Sequence, residues 1–278
     1  MKPFSWLFQF YLDSSIHVGF SVASLTAVTS FMLNIPLNGN LLFFQVLATV
    51  VGYSFIKYGV EAKKYWLVSK KYYRYIRFFS VVCFLGSFYF LAQLHASVWY
   101  GVVVLGFLTL LYAIPFLGRF KNLRNVGGFK IFMVSLIWSG FTVMLPVLEA
   151  DLAFGWDIGV VAVQRFLLVF VLILPFDIRD MEKDSPSLQT VPQRLGIQKT
   201  VWLGITLSLL VMAMTFLKDS LLLIEIAANV ILTVMLIKIL LQMKPSNSKY
   251  FAAFWVEGIP IFWALVWLFS EEKVIVAF

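Results

Sequence analysis

The sequence has 278 residues, of which 61% are hydrophobic and only 13% are charged. Soluble domains carry about 25% charged residues, so this composition excludes a soluble protein and indicates an integral membrane protein. One cysteine and two histidines exclude an intrachain disulfide and offer no zinc site, and the net charge of +8 leaves nucleic acid or anionic lipid as partners.

Apolar stretches recur along the chain after a short aromatic segment. Residues 1–15 are predicted to lie at the membrane interface, with Asp13, Ser14 and Ser15 as candidate N-caps of the first span. Nine stretches long enough to cross a bilayer follow. The pattern predicts an all-α integral membrane protein whose residues 1–278 form a single transmembrane domain. The predicted spans lie near 16–33, 41–57, 76–94, 98–117, 131–148, 158–176, 200–217, 221–241 and 251–270.

The connections between these stretches alternate in charge. One set is short and nearly free of Lys and Arg, whereas the other set, together with Lys2, holds all but three of the 22 basic residues. The positive-inside rule then predicts a cytoplasmic N-terminus and an outer C-terminus, which agrees with an odd number of spans. We expect a membrane of the bacterial inner-membrane type. Topology and membrane lipid explain the net charge, so nucleic acid is not expected as a partner.

A cluster of carboxylates follows the sixth stretch. Four of the fourteen carboxylates lie between Asp177 and Asp184. If the run is helical, Asp177, Asp180 and Asp184 share one face, where they repel each other unless a cation lies among them. Mg²⁺ binds one or two carboxylates and completes its shell with water and phosphate oxygens. Pro175 loosens the helix just before this run. The residues alone leave open a magnesium site or a solvated acidic loop.

The acidic run and its continuation resemble the UbiA superfamily of intramembrane prenyltransferases. Residues 177–184 read DIRDMEKD and residues 190–196 read TVPQRLG, similar to the second aspartate-rich motif DxRDxExD followed by TLPxRLG. Residues 112–115 (YAIP), with the basic loop to Lys130, are a weaker similarity. The resemblance implies a nine-helix bundle with a central cavity open toward lipid. It also implies that a prenyl diphosphate binds through Mg²⁺ on the cytoplasmic side.

The same resemblance implies the reaction and its residues. A polyprenyl group would move from its diphosphate to an aromatic or other small-molecule acceptor, with Asp177, Asp180 and Asp184 binding the metal. Lys and Arg in cytoplasmic loops also act as topology determinants or contact lipid headgroups, so the role of the basic residues stays open. The candidates for binding the diphosphate are Arg119, Lys121, Arg124 and Arg194.

The first aspartate-rich motif of the superfamily, NxxxDxxxD, is not intact here. The corresponding residues are Tyr53, Lys57 and Glu61, which share a helical face. Only Glu61 remains as a metal ligand, whereas Lys57 would repel a metal and pair with a diphosphate or with Asp177 and Asp180. We therefore count Lys57 among the catalytic candidates and Tyr53 among the substrate-binding ones. Either one metal site works with a lysine, or a salt bridge closes a silent site.

Three ionisable residues lie inside predicted spans, where burial is costly and a role is the default hypothesis. Arg165 is expected to snorkel outward or to pair with a carboxylate in the bundle. Glu257 is a candidate to orient the acceptor or to take its proton, and a structural polar contact is the alternative. Glu225 is close enough to the outer interface to need no special role.

The leading prediction is a UbiA-like membrane prenyltransferase assisted by Mg²⁺. A catalytically silent protein of the same fold that binds an isoprenoid diphosphate or lipid is the first alternative. A small-molecule transporter is the second, although transporters often show matched half-repeats and this sequence has no internal duplication.

Overall fold

The chain folds into a bundle of apolar helices. The structure, a computed structural model, describes residues 3–60, 71–113, 128–246, 250–269 and 276–277. We label its main helices α1 (Pro3–Asp13), α2 (Ile16–Met32), α3 (Gly39–Phe55), α4 (Lys71–Leu91), α5 (Ala96–Ala113), α6 (Phe129–Ser139), α7 (Trp156–Asp180), α8 (Val191–Leu195), α9 (Ile197–Met214), α10 (Leu223–Gln242) and α11 (Glu257–Leu268).

Shorter segments extend or connect these helices. A helical segment at Leu145–Glu149 follows α6, and 3₁₀ turns lie at Pro186–Leu188 and Thr215–Leu217. Two two-residue strands, β1 (Leu37–Asn38) and β2 (Val276–Ala277), pair in parallel. Within the described ranges, eight helices are long and apolar enough to cross a membrane, and a ninth is obtained if α1 and α2 count as one bent span. The prediction of an all-α membrane bundle is confirmed.

Three π-helical segments interrupt the regular α-helices. They follow α3 (Ile56–Val60), follow α6 (Gly140–Met144) and precede α11 (Phe251–Val256). A π segment shifts the register of the side chains on either side of it, and such segments are frequent at functional sites. All three contribute side chains to the central cavity described below.

A sharp bend separates α1 from α2. The two helices meet at 55°, and Ser15 at the bend adopts a left-handed conformation with φ of 63°. The predicted side-chain caps are not formed, because Ser14 Oγ donates to the carbonyl of Phe10 at 2.6 Å and Ser15 Oγ accepts from Lys57 Nζ at 2.8 Å. The serines therefore stabilise the bend and its contact with α3 rather than the start of α2.

Helix α7 is the most buried of the long helices and positions the acidic run. Its apolar side chains pack into the main core with α2, α6, α9, α10 and α11. The helix continues through Pro175 and ends at Asp180, so Asp184 lies in the turn that follows instead of on the same helical face. The sequence-based expectation of a continuous helical face from Asp177 to Asp184 is therefore wrong for its last member.

Arg165 on α7 is buried at the centre of the bundle. Its guanidinium donates to the carbonyl of Leu25 at 2.6 Å and to the hydroxyls of Thr142 and Thr29 at 3.1 and 3.2 Å. It also lies 5.5 Å from the ring centroid of Trp263, a favourable position for a cation. The expectation that Arg165 snorkels or meets a carboxylate is wrong, because α2, α11 and the π segment after α6 supply neutral acceptors and a ring.

A second buried cation, Lys218, lies between α9 and α10. Its ammonium donates to Glu225 Oε2 and to the carbonyl of Met32, both at 2.7 Å. The two ionic side chains are 1% and 0% exposed. The interpretation of Glu225 as an interfacial residue without a special role is therefore wrong, since Glu225 neutralises a charge inside the bundle.

Gly19 allows α2 to approach α3 closely. A Cβ added there would lie 3.0 Å from the carbonyl oxygen and 3.3 Å from the Cα of Val46, and backbone atoms cannot move aside like a side-chain tip. We expect Gly19→Ala to lower the thermal unfolding midpoint of the detergent-solubilised protein, because overpacking costs about 1–3 kcal/mol. Gly159→Ala is the control, with nothing within 4 Å of the added Cβ. An unchanged or higher midpoint for Gly19→Ala would contradict this packing.

Candidate functional site

A cavity of about 860 Å³ lies inside the bundle. Its volume falls within the range of roughly 300–1,000 Å³ that is typical of small-molecule sites. Along α3 and the π segment that follows it, the wall runs from Phe44 to Lys57, a distance of about 20 Å at roughly 1.5 Å per residue. Most of the wall is apolar, with side chains from α3 to α7 that include Leu91, Leu105 and Phe141. The cavity therefore suits a long apolar molecule.

Charged side chains line the cavity where four helix ends meet. Because neighbouring helices alternate in direction, the ends of α3 and α7 lie beside the beginnings of α6 and α11. Lys57, Lys130 and Arg179 supply three cations from three of these ends. We call this part of the cavity the charged end; its lining carboxylates are Asp13, Asp180 and Glu257.

Two aspartates of the acidic run form ion pairs. Lys130 Nζ lies 2.8 Å from Asp177 Oδ1, and Asp177 is only 2% exposed whereas Lys130 is 22% exposed. Arg179 binds Asp180 through two hydrogen bonds of 2.9 and 2.6 Å. The Arg179 guanidinium also lies 5.3 Å from the ring centroid of Phe176. Asp177 and Asp180 thus have cationic partners on the chain itself.

Lys57 lies at the charged end on the π segment after α3. Its ammonium donates to Ser15 Oγ at 2.8 Å and lies 5.8 Å from the ring centroid of Tyr53. The charges of Lys57 and Arg179 both act on Glu257, which places the three side chains in one electrostatic group. The structure thus brings Lys57, Tyr53 and Glu257 to the same cavity. Their predicted roles in substrate binding and catalysis stay predictions.

Asp177 and Asp180 form ion pairs with residues other than Lys57. The sequence left open a pairing of Lys57 with Asp177 and Asp180. In the described part of the chain, the ion pairs of these two carboxylates are with Lys130 and Arg179. The reason is geometric, because Lys130 begins the neighbouring helix α6 and Arg179 precedes Asp180 in sequence.

The turn after α7 is held by the second half of the motif. Gln193 Nε2 donates to the carbonyls of Met181 at 3.3 Å and Asp184 at 3.2 Å, and its Oε1 accepts from the Thr190 backbone at 3.0 Å. Arg194 is exposed and donates to Gln189 Oε1 at 2.6 Å. Gln193 of the TVPQRLG segment therefore holds the acidic turn by binding its backbone carbonyls.

Three members of the predicted site lie outside the cavity wall. Asp184 and Arg194 are not among the described residues that line it, and Asp177 lies behind Lys130. Asp184 still acts electrostatically on Asp177 and on Lys130, so it belongs to the same charged cluster. The proposed metal role of Asp177, Asp180 and Asp184 stays a prediction.

Whether Mg²⁺ fits this site depends on the side chains that could supply its oxygen ligands. Carboxylate oxygens are the right type of ligand, but Asp177 and Asp180 already accept bonds from Lys130 and Arg179. Within the described residues, no group of three or more His, Cys, Asp or Glu side chains is arranged to hold a metal ion. A magnesium ion bound by Asp177 or Asp180 would therefore have to displace Lys130 or Arg179. The remaining predicted metal ligand, Glu61, lies outside the described residues.

The predicted basic phosphate site also falls largely outside the described residues. Residues 114–127 are not described, and Arg119, Lys121 and Arg124 lie within them. Their predicted contact with a diphosphate therefore stays a prediction.

Sequence reasoning missed two residues of the charged end. Lys130 was grouped with the basic loop and Asp13 with helix capping, yet both line the cavity. Asp13 accepts a hydrogen bond from the hydroxyl of Tyr72 at 3.1 Å, which links α1 to α4. A usable signal for Lys130 was its position at the first turn of an apolar span, on the same side as the acidic run.

The fold and the cavity define a class of protein, an all-α membrane bundle that encloses an apolar cavity with one charged end. No protein-family model matches the sequence, and no curated protein matches it. Solved structures of a UbiA homolog from Archaeoglobus fulgidus do match. The structure bound to GPP and Mg²⁺ is 13% identical in sequence, with a TM-score of 0.50 and coverage of 95% of each chain.

Two further states of the same homolog match equally well. The structure bound to DMAPP and Mg²⁺ is 12% identical, with a TM-score of 0.51 and 95% of each chain covered. The structure bound to Cd²⁺ is also 12% identical, with a TM-score of 0.52, covering 95% of this chain and 96% of the other. The chain therefore has the UbiA fold, and the resemblance read from the sequence is confirmed at the level of the fold.

Proposed function

We propose that this protein is a UbiA-type membrane prenyltransferase. It takes a prenyl diphosphate into the central cavity and transfers the prenyl group to a small-molecule acceptor. The observation that carries the proposal is the division of the cavity into a long apolar wall and one charged end with three cations. An isoprenoid diphosphate has the same division, with a hydrocarbon chain and an anionic head.

The homolog structures support this choice of ligand. GPP and DMAPP are both bound by a protein of the same fold. In our proposal the head group lies at the charged end and the chain extends along α3 toward Phe44. We infer that the charged end faces the cytoplasm, since exposed Lys199, Lys238 and Lys244 lie on segments of the same side by helix direction.

The reaction follows from the chemistry of the bound group. The bond between the allylic carbon and the diphosphate oxygen breaks, and the diphosphate leaves with the electron pair. The allylic carbon bonds to the acceptor, which loses a proton, and Glu257 is our candidate for the group that takes it. Lys57, Lys130 and Arg179 would stabilise the charge that develops on the leaving diphosphate. Aromatic side chains such as Phe176 and Tyr53 would face the cationic carbon.

A turnover assay tests transfer. Purified protein is incubated with radiolabelled geranyl diphosphate and a membrane lipid extract as the source of acceptor, and labelled lipid and inorganic diphosphate are measured. We expect both products from the wild type. Arg179→Gln should lower the rate by about 100-fold, because loss of one group that stabilises developing charge costs roughly that much. The exposed Lys199→Met is the control and should not change the rate.

One observation favours a second candidate, a catalytically silent binder of isoprenoid diphosphate. The ion pairs Lys130–Asp177 and Arg179–Asp180 satisfy the two acidic residues without a metal. The turnover assay separates the candidates. Binding of geranyl diphosphate without release of diphosphate would contradict transfer and favour the silent binder, and absence of binding would contradict both.

A further inference from the structure

The charged end presents its cations in fixed positions. Lys57, Lys130 and Arg179 come from three different helix ends and line the same cavity. Ser15 holds the Lys57 ammonium at 2.8 Å, and Asp177 holds that of Lys130 at 2.8 Å. Arg179 donates two hydrogen bonds to Asp180, and these fix its guanidinium. Cations that are already positioned bind an anion with little further ordering.

The burial of the first ion pair determines which partner faces the ligand. Asp177 is 2% exposed and does not line the cavity, whereas Lys130 is 22% exposed and does. An ammonium has three N–H donors, and the bond to Asp177 uses one of them. The carboxylate thus acts as an anchor behind the cation. To bind a metal instead, Asp177 would have to give up this bond.

The position of Lys57 also favours binding of the head group by cations rather than by a metal. It stands where the superfamily motif that this sequence resembles has its central aspartate, so a cation replaces a metal-binding group at this point of the cavity. Glu257 lines the same charged end, within electrostatic reach of Lys57 and Arg179.

We propose that the head group of the isoprenoid diphosphate is bound directly by Lys57 and Lys130, and that this binding does not require Mg²⁺. The inference rests on the proposed function, because it assumes a prenyl diphosphate in the cavity. It differs from a metal-bridged site in the groups that contact the phosphate oxygens. Lysine ammonium groups bind phosphate as point charges, and here two of them come from different segments, the π segment after α3 and the start of α6.

Metal dependence of binding is the test. Binding of radiolabelled geranyl diphosphate to the full chain in neutral detergent is measured with EDTA and with MgCl₂. We expect dissociation constants that agree within about threefold, a change smaller than the tenfold that corresponds to one strong contact. Lys57→Met should weaken binding at least about tenfold in both buffers, because a charge-assisted hydrogen bond is lost. Lys57→Arg should largely restore it, and Lys199→Met should bind like the wild type.

Asp180→Asn distinguishes the two kinds of site further, because Asp180 lines the charged end and is a proposed metal ligand. If cations hold the head group, this change should not weaken binding in EDTA. If carboxylates hold it through a metal, the same change should weaken binding in MgCl₂. Binding that appears only with Mg²⁺ would overturn this inference and leave the proposed function standing. Absence of binding in both buffers would overturn both.

Discussion

Gly106→Phe is expected to exclude long prenyl chains from the cavity while short ones still bind. Gly106 lies on the apolar wall on α5, about 9 Å from Tyr112 at the charged end, and a Cβ added there has nothing within 4 Å. The new side chain therefore begins without a clash at its Cβ, and its ring would occupy space in the cavity that a chain needs. Loss of two buried methylene groups costs about 1.6 kcal/mol, so geranylgeranyl diphosphate should bind at least about tenfold more weakly.

Competition between two ligands measures this effect. Dimethylallyl diphosphate, whose chain ends near the head group, should bind to Gly106→Phe with an unchanged dissociation constant. Gly159→Phe is the matched control, since Gly159 also has open space around it and does not line the cavity. An equal loss for both ligands would indicate general damage. No loss for either would show that the chain does not follow this wall.

Glu225→Ala is expected to cause the largest loss of stability among the changes considered. It leaves the ammonium of Lys218, which is 1% exposed, without its carboxylate, and removing one partner of a buried ion pair costs about 3–5 kcal/mol. The readout is the thermal unfolding midpoint in detergent. The double variant Lys218→Met, Glu225→Ala should recover much of the loss, because it removes the uncompensated charge. A single variant as stable as the wild type, or a double variant no better than the single one, would contradict this account.

The helical architecture could be predicted because the information is local. Apolar stretches of membrane-spanning length and the alternation of basic and neutral connections are properties of consecutive residues. The bend at Ser15 and the three π segments could not be predicted in this way. They depend on contacts between distant parts of the chain, such as the bond from Lys57 to Ser15, which joins residues 42 positions apart.

The residues of the candidate site could also be predicted only in part. Lys57, Tyr53 and Asp180 were selected from motif positions, and all three line one cavity. The partner of Asp177 was not predicted, because Lys130 lies 47 positions earlier and resembles any other basic residue at the edge of a span. Asp184 was placed on the wrong element, because α7 ends at Asp180 and Asp184 lies in the following turn, where its carbonyl accepts a bond from Gln193.

The match to the UbiA homolog rests on the arrangement of helices rather than on shared residues. The match to the UbiA homolog covers 95% of the chain at 13% identity, so the arrangement of helices persists with few shared residues. The wall of such a bundle needs apolar side chains of suitable size, which many sequences provide. The charged end is more restrictive, since the exchange of an ionisable side chain there for a neutral one changes the balance of charge. At the position that the sequence resemblance gives to the central aspartate of the first motif, this chain has Lys57, which lines the charged end.

A structure of the protein determined with bound geranyl diphosphate tests the central claim most directly. The account predicts the diphosphate at the charged end, within hydrogen-bonding distance of Lys57 and Lys130, and the hydrocarbon chain along α3 between Gly52 and Phe44. A head group bound elsewhere, or a ligand outside the cavity, would contradict it.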